Sequence, residues 1–340
     1  MNSSLSTSRQ QQIGGCNRYT PKKEHQKTAG IIFLLCIVFF IFFYWLIPYC
    51  ISVDTEQYRY FYDAIGYEDS WSGRFSLLQN SLGSSEPGYL VLVYLFSPLM
   101  SYDLFITIGN TILVLTTSLF FFKHLKLNAL NISFLLCFLL SYYFIVLCTS
   151  ADRLKIAMIF LLISYITEKG QLKLLFGMLA CLSHVQLFFL LLPVIVNTLA
   201  SKTYSRQKRL YFLLVALVVG FFFWNSFSEY VIGKIVAYQS SELNIDSFIK
   251  TLALLVLTFV FVRTDRKNIA IVSIPLLISA LFLGGSRITI MAYFLFLGYH
   301  IIRLEKVNTI CWVVTLYFLI QTPVFVGRIL KYGSGYALSL

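Results

Sequence analysis

Long apolar runs, separated by short polar connections, make up most of the chain. Residues 31–47 (IIFLLCIVFFIFFYWLI) carry no polar break, and similar runs recur at 104–122, 128–148, 154–166, 171–199, 210–226, 247–262, 268–284, 287–302 and 307–325. About 20 apolar residues in a helix cross roughly 30 Å of hydrocarbon, so this pattern predicts a bundle of membrane-spanning helices rather than a soluble core. Two runs do not fit one plain crossing each. Ser84-Ser85-Glu86-Pro87-Gly88-Tyr89 opens a run of only about ten residues before Ser97-Pro98, which predicts a re-entrant or interfacial half-helix. Residues 171–199 have basic connections on both sides, and a hairpin of two short helices meeting near Ser183-His184 keeps both on one side.

Charge orients the bundle. The chain has 340 residues, 58% hydrophobic and 12% charged, with mean hydropathy +0.76 and formal charge +12. Those values exclude an ordinary soluble domain. Basic residues gather in a polar tail, 1–28, expected to be disordered and cytoplasmic, and in the connections at 123–126, 168–173, 202–209, 263–267 and 303–306. The first apolar run is longer than a signal-peptide core and lacks a small-residue cleavage site, so it is read as a retained span. Residues 51–87 carry Asp54, Glu56, Asp63, Glu68, Asp69 and Glu86 against Arg59 and Arg74, and are read as a long outer loop. The stretch 227–246 and the Gly284-Gly285-Ser286-Arg287 turn are the other outer connections. The expected fold is all-α and GT-C-like, a single polytopic domain over 29–340 with ten to eleven crossings or half-crossings. This threading leaves Arg328 and Lys331 on the outer side, against the positive-inside rule. No basic patch interleaved with aromatics points to nucleic acid. The seven cysteines form no CxxC pair and lie mostly inside apolar runs, as buried free thiols would.

Chemistry is expected where ionisable groups sit in or beside apolar runs, because hydrocarbon tolerates them only with a partner, a cavity or a function. Arg153 opens a run after Ser150-Ala151-Asp152, and His184 interrupts another. Threading by charge puts both on the same side as Glu86 and Arg287. Arg153 and Arg287 each open a helix, where backbone N–H groups and a guanidinium fork suit phosphate oxygens. His184 or Glu86 would act on a hydroxyl, and Asp54, Tyr58 and Tyr89, with Tyr62, Tyr67 and Trp71, supply acceptors and aromatic faces for carbohydrate. Each has a plainer reading: arginines that snorkel, a satisfied core histidine, a helix cap, an interfacial tyrosine belt.

The Asp54-Thr-Glu-Gln-Tyr58 segment, the Glu86-Pro87-Gly88-Tyr89 half-helix, the Arg153-x-x-x-Ala157 helix start, the Ala180-x-x-x-His184 step and the late Ser286-Arg287 start resemble the EpsG family of polysaccharide polymerases, relatives of the Wzy O-antigen polymerases. The likeness runs in order over most of residues 30–305. It departs at Leu154, where such proteins often carry Gln after the arginine. The resemblance implies a glycosyltransferase of the bacterial cytoplasmic membrane that works at the outer side. Its donor and acceptor would be undecaprenyl diphosphate-linked oligosaccharides, its partners the bilayer and a chain-length regulator protein, and it would use neither cofactor nor metal. Arg153 and Arg287 would hold the diphosphate, His184 or Glu86 the acceptor hydroxyl, and Asp54, Tyr58 and Tyr89 the sugars. An O-antigen ligase would use the same donor but is expected to carry its histidine on a larger outer loop. A flippase would need mid-membrane charges and two pseudo-symmetric halves.

Overall fold

The computed structural model describes residues 22–84, 86–188, 245–282 and 285–336, with isolated positions between 205 and 214. Among these residues every regular element is a helix. In chain order they are α1 (Lys22–Leu46), α2 (Val53–Ala64), α3 (Trp71–Leu82), α4 (Pro87–Phe96), α5 (Tyr102–His124), α6 (Ala129–Leu139), α7 (Tyr142–Ser150), α8 (Asp152–Ile166), α9 (Gly170–Ser183), α10 (Ile245–Phe261), α11 (Arg266–Phe282), α12 (Gly285–Leu304) and α13 (Thr309–Tyr332). Four helices are long and apolar enough to cross a bilayer, or six spans if the bent pairs α6–α7 and α10–α11 each count as one. The expected run at 210–226, the second half of the 171–199 hairpin and the outer stretch 227–246 lie largely or wholly outside the described residues.

Four readings of the sequence need correction. Residues 51–87 are not a loop but two helices. Ser52 and Ser70 cap them by accepting the backbone N–H of Thr55 and Gly73, and Tyr58, Phe61, Tyr62 and Ile65 form a buried stripe at helical spacing. α3 stops at Gly83, whose φ of 52° is the left-handed cap that glycine tolerates best. α1 begins at Lys22, inside the tail expected to be disordered to residue 28, because good helix formers extend the turn nucleated by the apolar run. The run 128–148 bends by 46° between α6 and α7. Neither Pro nor Gly marks the bend; Ser141 donates to the Phe138 carbonyl at 2.7 Å, and Thr322 of α13 donates to the freed Leu140 carbonyl at 2.8 Å. The last helix runs past residue 325 to Tyr332, where Gly333 at φ 72° closes it.

Burial sorts the helices. The most apolar windows of α5 and α12 are 56% and 61% buried, against 33% for α1 and α13, so the first pair is central and the second peripheral. α8 is buried along almost its whole length, including both of its basic side chains. The ends of α1 and α13 meet: the Ile51 N–H donates to the Gly333 carbonyl at 2.8 Å. The start of α2 follows Ile51, and Thr55 donates to the Thr149 carbonyl at the end of α7, so α2 lies over the α7–α8 break. This end of the bundle carries the ionisable cluster described next. The six cysteines among the described residues are free thiols, as expected.

Candidate active site

The α7–α8 junction positions the first cationic side chains. Ala151 sits at φ −140°, ψ 57° without a side-chain cap, so the chain turns there and starts α8 inside the protein. The first turn of α8 then carries Asp152, Arg153 and Lys155, all at most 3% exposed. Arg153 points its Nη1 at Glu86 Oε2, 2.6 Å away, and its Nε donates to the Tyr58 hydroxyl at 3.0 Å. Lys155, one helical turn from Asp152, donates to Asp152 Oδ1 at 3.0 Å and to the Cys148 carbonyl at 3.4 Å. Tyr102 of α5 donates to the other oxygen of Asp152 at 2.8 Å.

Glu86 is the hub. It stands just before α4, outside the spans, and its two oxygens divide the work. Oε2 takes Arg153 and the Ser84 hydroxyl, the latter at 2.9 Å; Oε1 takes His184 Nδ1 at 3.0 Å and the Val185 backbone N–H at 3.2 Å. Burial would raise its pKa. The Arg153 guanidinium and then His184, helped by hydrogen bonds from His184 and Ser84, outweigh this and hold the carboxyl well below the usual range. A carboxylate so well satisfied orients and neutralises its neighbours rather than taking up a proton.

His184 is delivered from the far side. α9 ends at Ser183, His184 leaves the helix with extended backbone at φ −155°, and its ring lies between Glu86 and the Gln186 side chain, whose Oε1 is 3.0 Å from Nε2. With the amide in this orientation both ring nitrogens face acceptors, as an imidazolium requires; with the amide turned over, its NH2 donates to Nε2 of a neutral ring. Either way Nδ1 is committed to Glu86 and Nε2 faces away from it.

Gly88 explains the spacing of the Glu-Pro-Gly-Tyr turn. A Cβ built there would lie 2.7 Å from Ser183 Oγ and 2.9 Å from backbone atoms of Leu182 and Ser183. The α4 start and the α9 end therefore touch backbone to backbone, which is what brings Glu86 to His184. Gly88→Ala is expected to push α4 and α9 apart and to destabilise the fold by about 1–3 kcal/mol while the protein still inserts, checked by thermal melts beside membrane-fraction yield; an unchanged melt contradicts this packing argument.

The sequence-derived candidates thus fall into two neighbouring groups. Glu86, Arg153, His184 and Tyr58 form one buried cluster. Tyr89 packs its ring on Tyr58 and Phe61 with centroids 5.7 and 6.0 Å away, and its buried hydroxyl has no hydrogen-bond partner among the described residues. Asp54 and Arg287 form a separate, more exposed ion pair at 2.9 Å. Asp54 and Tyr58 lie four residues apart on α2, hence one turn apart on one face, so a single helix holds both arginines by adjacent side chains. Tyr336, beyond α13, interacts with Ser150 and lies near both Arg287 and Asp54, which ties this pair to the start of α8. The sequence reading missed Ser84, Asp152, Lys155, Gln186 and Tyr102 as site residues. Lys155 and Asp152 were findable, since an ionisable pair at i, i+3 in an apolar run carries the same signal that marked Arg153.

This constellation joins the motifs that the sequence resemblance rested on, and comparison with known families agrees with it. The EpsG family model matches residues 31–332. The chain belongs to the EpsG family. EpsG-family proteins are Wzy-like polymerases, and the long apolar helices fit a multi-pass membrane protein of polysaccharide biosynthesis. Comparison with curated proteins and with solved structures gives no match. The EpsG match runs from within α1 to the end of α13, so both arginine groups and the Glu86 hub fall within it.

Proposed function

We propose that this EpsG-family chain polymerises lipid-linked oligosaccharide repeat units at the extracytoplasmic face of the bacterial cytoplasmic membrane. The observation that carries the reading is Glu86, which binds Arg153 with one oxygen and His184 with the other inside one buried site. A hydroxyl of the incoming repeat unit attacks the anomeric carbon of the growing chain. The bond from that carbon to the undecaprenyl diphosphate oxygen breaks, and the diphosphate leaves with the bonding pair. With the ring neutral, the acceptor hydroxyl displaces the Gln186 amide from His184 Nε2, which takes the hydroxyl proton while Glu86 fixes the ring through Nδ1, a division of labour that carboxylate–histidine pairs use generally. Arg153, the N-terminal turn of α8 and Arg287 stabilise the negative charge that develops on the diphosphate. Asp54, Tyr58 and Tyr89 position sugars. The frame for this chemistry is the GT-C-like bundle of ten to eleven crossings and half-crossings, and a chain-length regulator is its partner.

Lys155 is held apart from this work. Its ammonium is neutralised by Asp152, which Tyr102 also holds, so the first turn of α8 keeps a formally balanced interior and leaves Arg153 as the cation nearest the histidine.

Disruption of the gene tests the reading. Loss of a polymerase is expected to leave a single repeat unit on its acceptor, whereas loss of a ligase or a flippase leaves none; absence of any repeat unit overturns the proposal.

A further inference from the structure

A cavity lies toward the other end of the bundle. It is lined from α8 by Met158, Leu161 and Leu162, whereas Arg153 opens that helix, so its walls begin about 8 Å further along at 1.5 Å per residue. Its volume is about 270 Å³, larger than the ~150 Å³ apolar cavity that binds benzene in an engineered protein. Phe121, Phe138 and Phe294 add to the apolar wall, and Asp265, Asn268 and Arg303 form one polar end. That end lies at the face away from Glu86: Arg303 is in the last turn of α12, and Asp265 is at the corner between α10 and α11.

Two observations show space that the protein itself does not fill. Gly298 lines the cavity, and a Cβ added there would meet nothing within 4 Å. Thr117 also lines it, is 1% exposed, and has a buried hydroxyl without a partner among the described residues. The rim has a definite sign. Arg303 grips Asp265 Oδ2 through Nε and Nη2 at 2.9 and 2.7 Å with about half of its side chain exposed, and Arg263, Arg266, Lys267 and Lys306 are exposed around the same end.

We propose that this cavity holds one acyl chain of an anionic phospholipid, entering from the face opposite the Glu86 site, with the headgroup phosphate on the Arg303 rim. An apolar cavity whose polar end carries Arg303 among exposed basic residues matches a lipid tail beneath an anionic head. A neutral headgroup would leave the rim charge unanswered. The carrier lipid's diphosphate, in the reading above, belongs at the other end. The bound lipid packs α5, α8, α11 and α12 together and takes no part in bond making.

The test uses the full chain purified in mild detergent, with native mass spectrometry after addition of phosphatidylglycerol, phosphatidylcholine or undecaprenyl phosphate in separate arms. Phosphatidylglycerol is expected to be retained at one per chain in preference to the other two. Gly298→Leu, which places its side chain in the open space, is expected to weaken that retention about tenfold, the effect of displacing roughly two buried methylenes. If Gly298→Leu fails to fold, Thr117→Leu fills the same cavity from α5 and makes the same prediction. Equal retention of phosphatidylcholine, preferential retention of undecaprenyl phosphate, or undiminished phosphatidylglycerol binding in the filled variants overturns the proposal. Lipid retention is read without any glycan, so the outcome is independent of whether the chain extends polysaccharide.

Discussion

Glu86→Ala is expected to abolish chain extension and to destabilise the folded protein by about 3–5 kcal/mol, the usual cost of removing one partner from a buried ion pair. The loss is large because one carboxylate serves four donors. Its removal leaves the Arg153 guanidinium buried without its counter-charge, and frees the His184 ring and the Val185 N–H at once. Arg153→Ala in the same background is expected to recover part of the stability and none of the activity, since deleting both charges costs less than stranding one. Thermal melts of the purified variants and polysaccharide ladders from complemented cells check both statements. A Glu86→Ala protein with a normal ladder refutes the central role assigned to this residue. The pH dependence has a definite sign. The folded-state pKa of Glu86 is depressed, so its contribution to stability is fully present above the unfolded value of about 4.3 and is lost only as pH falls through the lower folded value. The acid limb of activity should therefore not be set by Glu86.

His184→Ala is expected to lower the rate of chain extension by about 10²–10⁴, the range for loss of a positioned general base, with a much smaller effect on stability. The asymmetry with Glu86 follows from the wiring. Removing the imidazole leaves the Glu86–Arg153 pair intact, with Ser84 and Val185 still donating to the carboxylate. In vitro extension with purified lipid-linked repeat units reads the rate, and a melt within a few degrees of the parent confirms that the fold is kept. A variant that extends chains at the parental rate returns His184 to the role of a satisfied core residue.

Much of this site was legible because hydrocarbon makes ionisable residues conspicuous. Glu86, Arg153 and His184 each stood at the edge of, or inside, an apolar run, and Pro87 after Ser-Glu marked the start of the short helix that the structure shows as Pro87–Phe96. What could not be read was which of them share atoms. The use of Gly88 depends on Ser183, which comes far later in the chain, and the bend between α6 and α7 depends on a hydroxyl from α13. Residues 51–87 were misread for a different reason. Their polarity suggested a loop, yet the serine caps and the Tyr58, Phe61, Tyr62, Ile65 stripe already had the helical period. The two arginines expected to hold the diphosphate have unequal settings: Arg153 is enclosed by Glu86 and Tyr58, while Arg287 is paired with Asp54 near the surface.

The bond from Ile51 to Gly333 fixes an orientation. The first helix finishes at the end of the bundle where the last one also finishes. Lys22 and Gly333 therefore stand at opposite ends of the described bundle. Arg328 and Lys331, near the end of α13, accordingly share the end of the bundle with the start of α2 and stand away from Arg303 in the last turn of α12, as the threading by charge also left them.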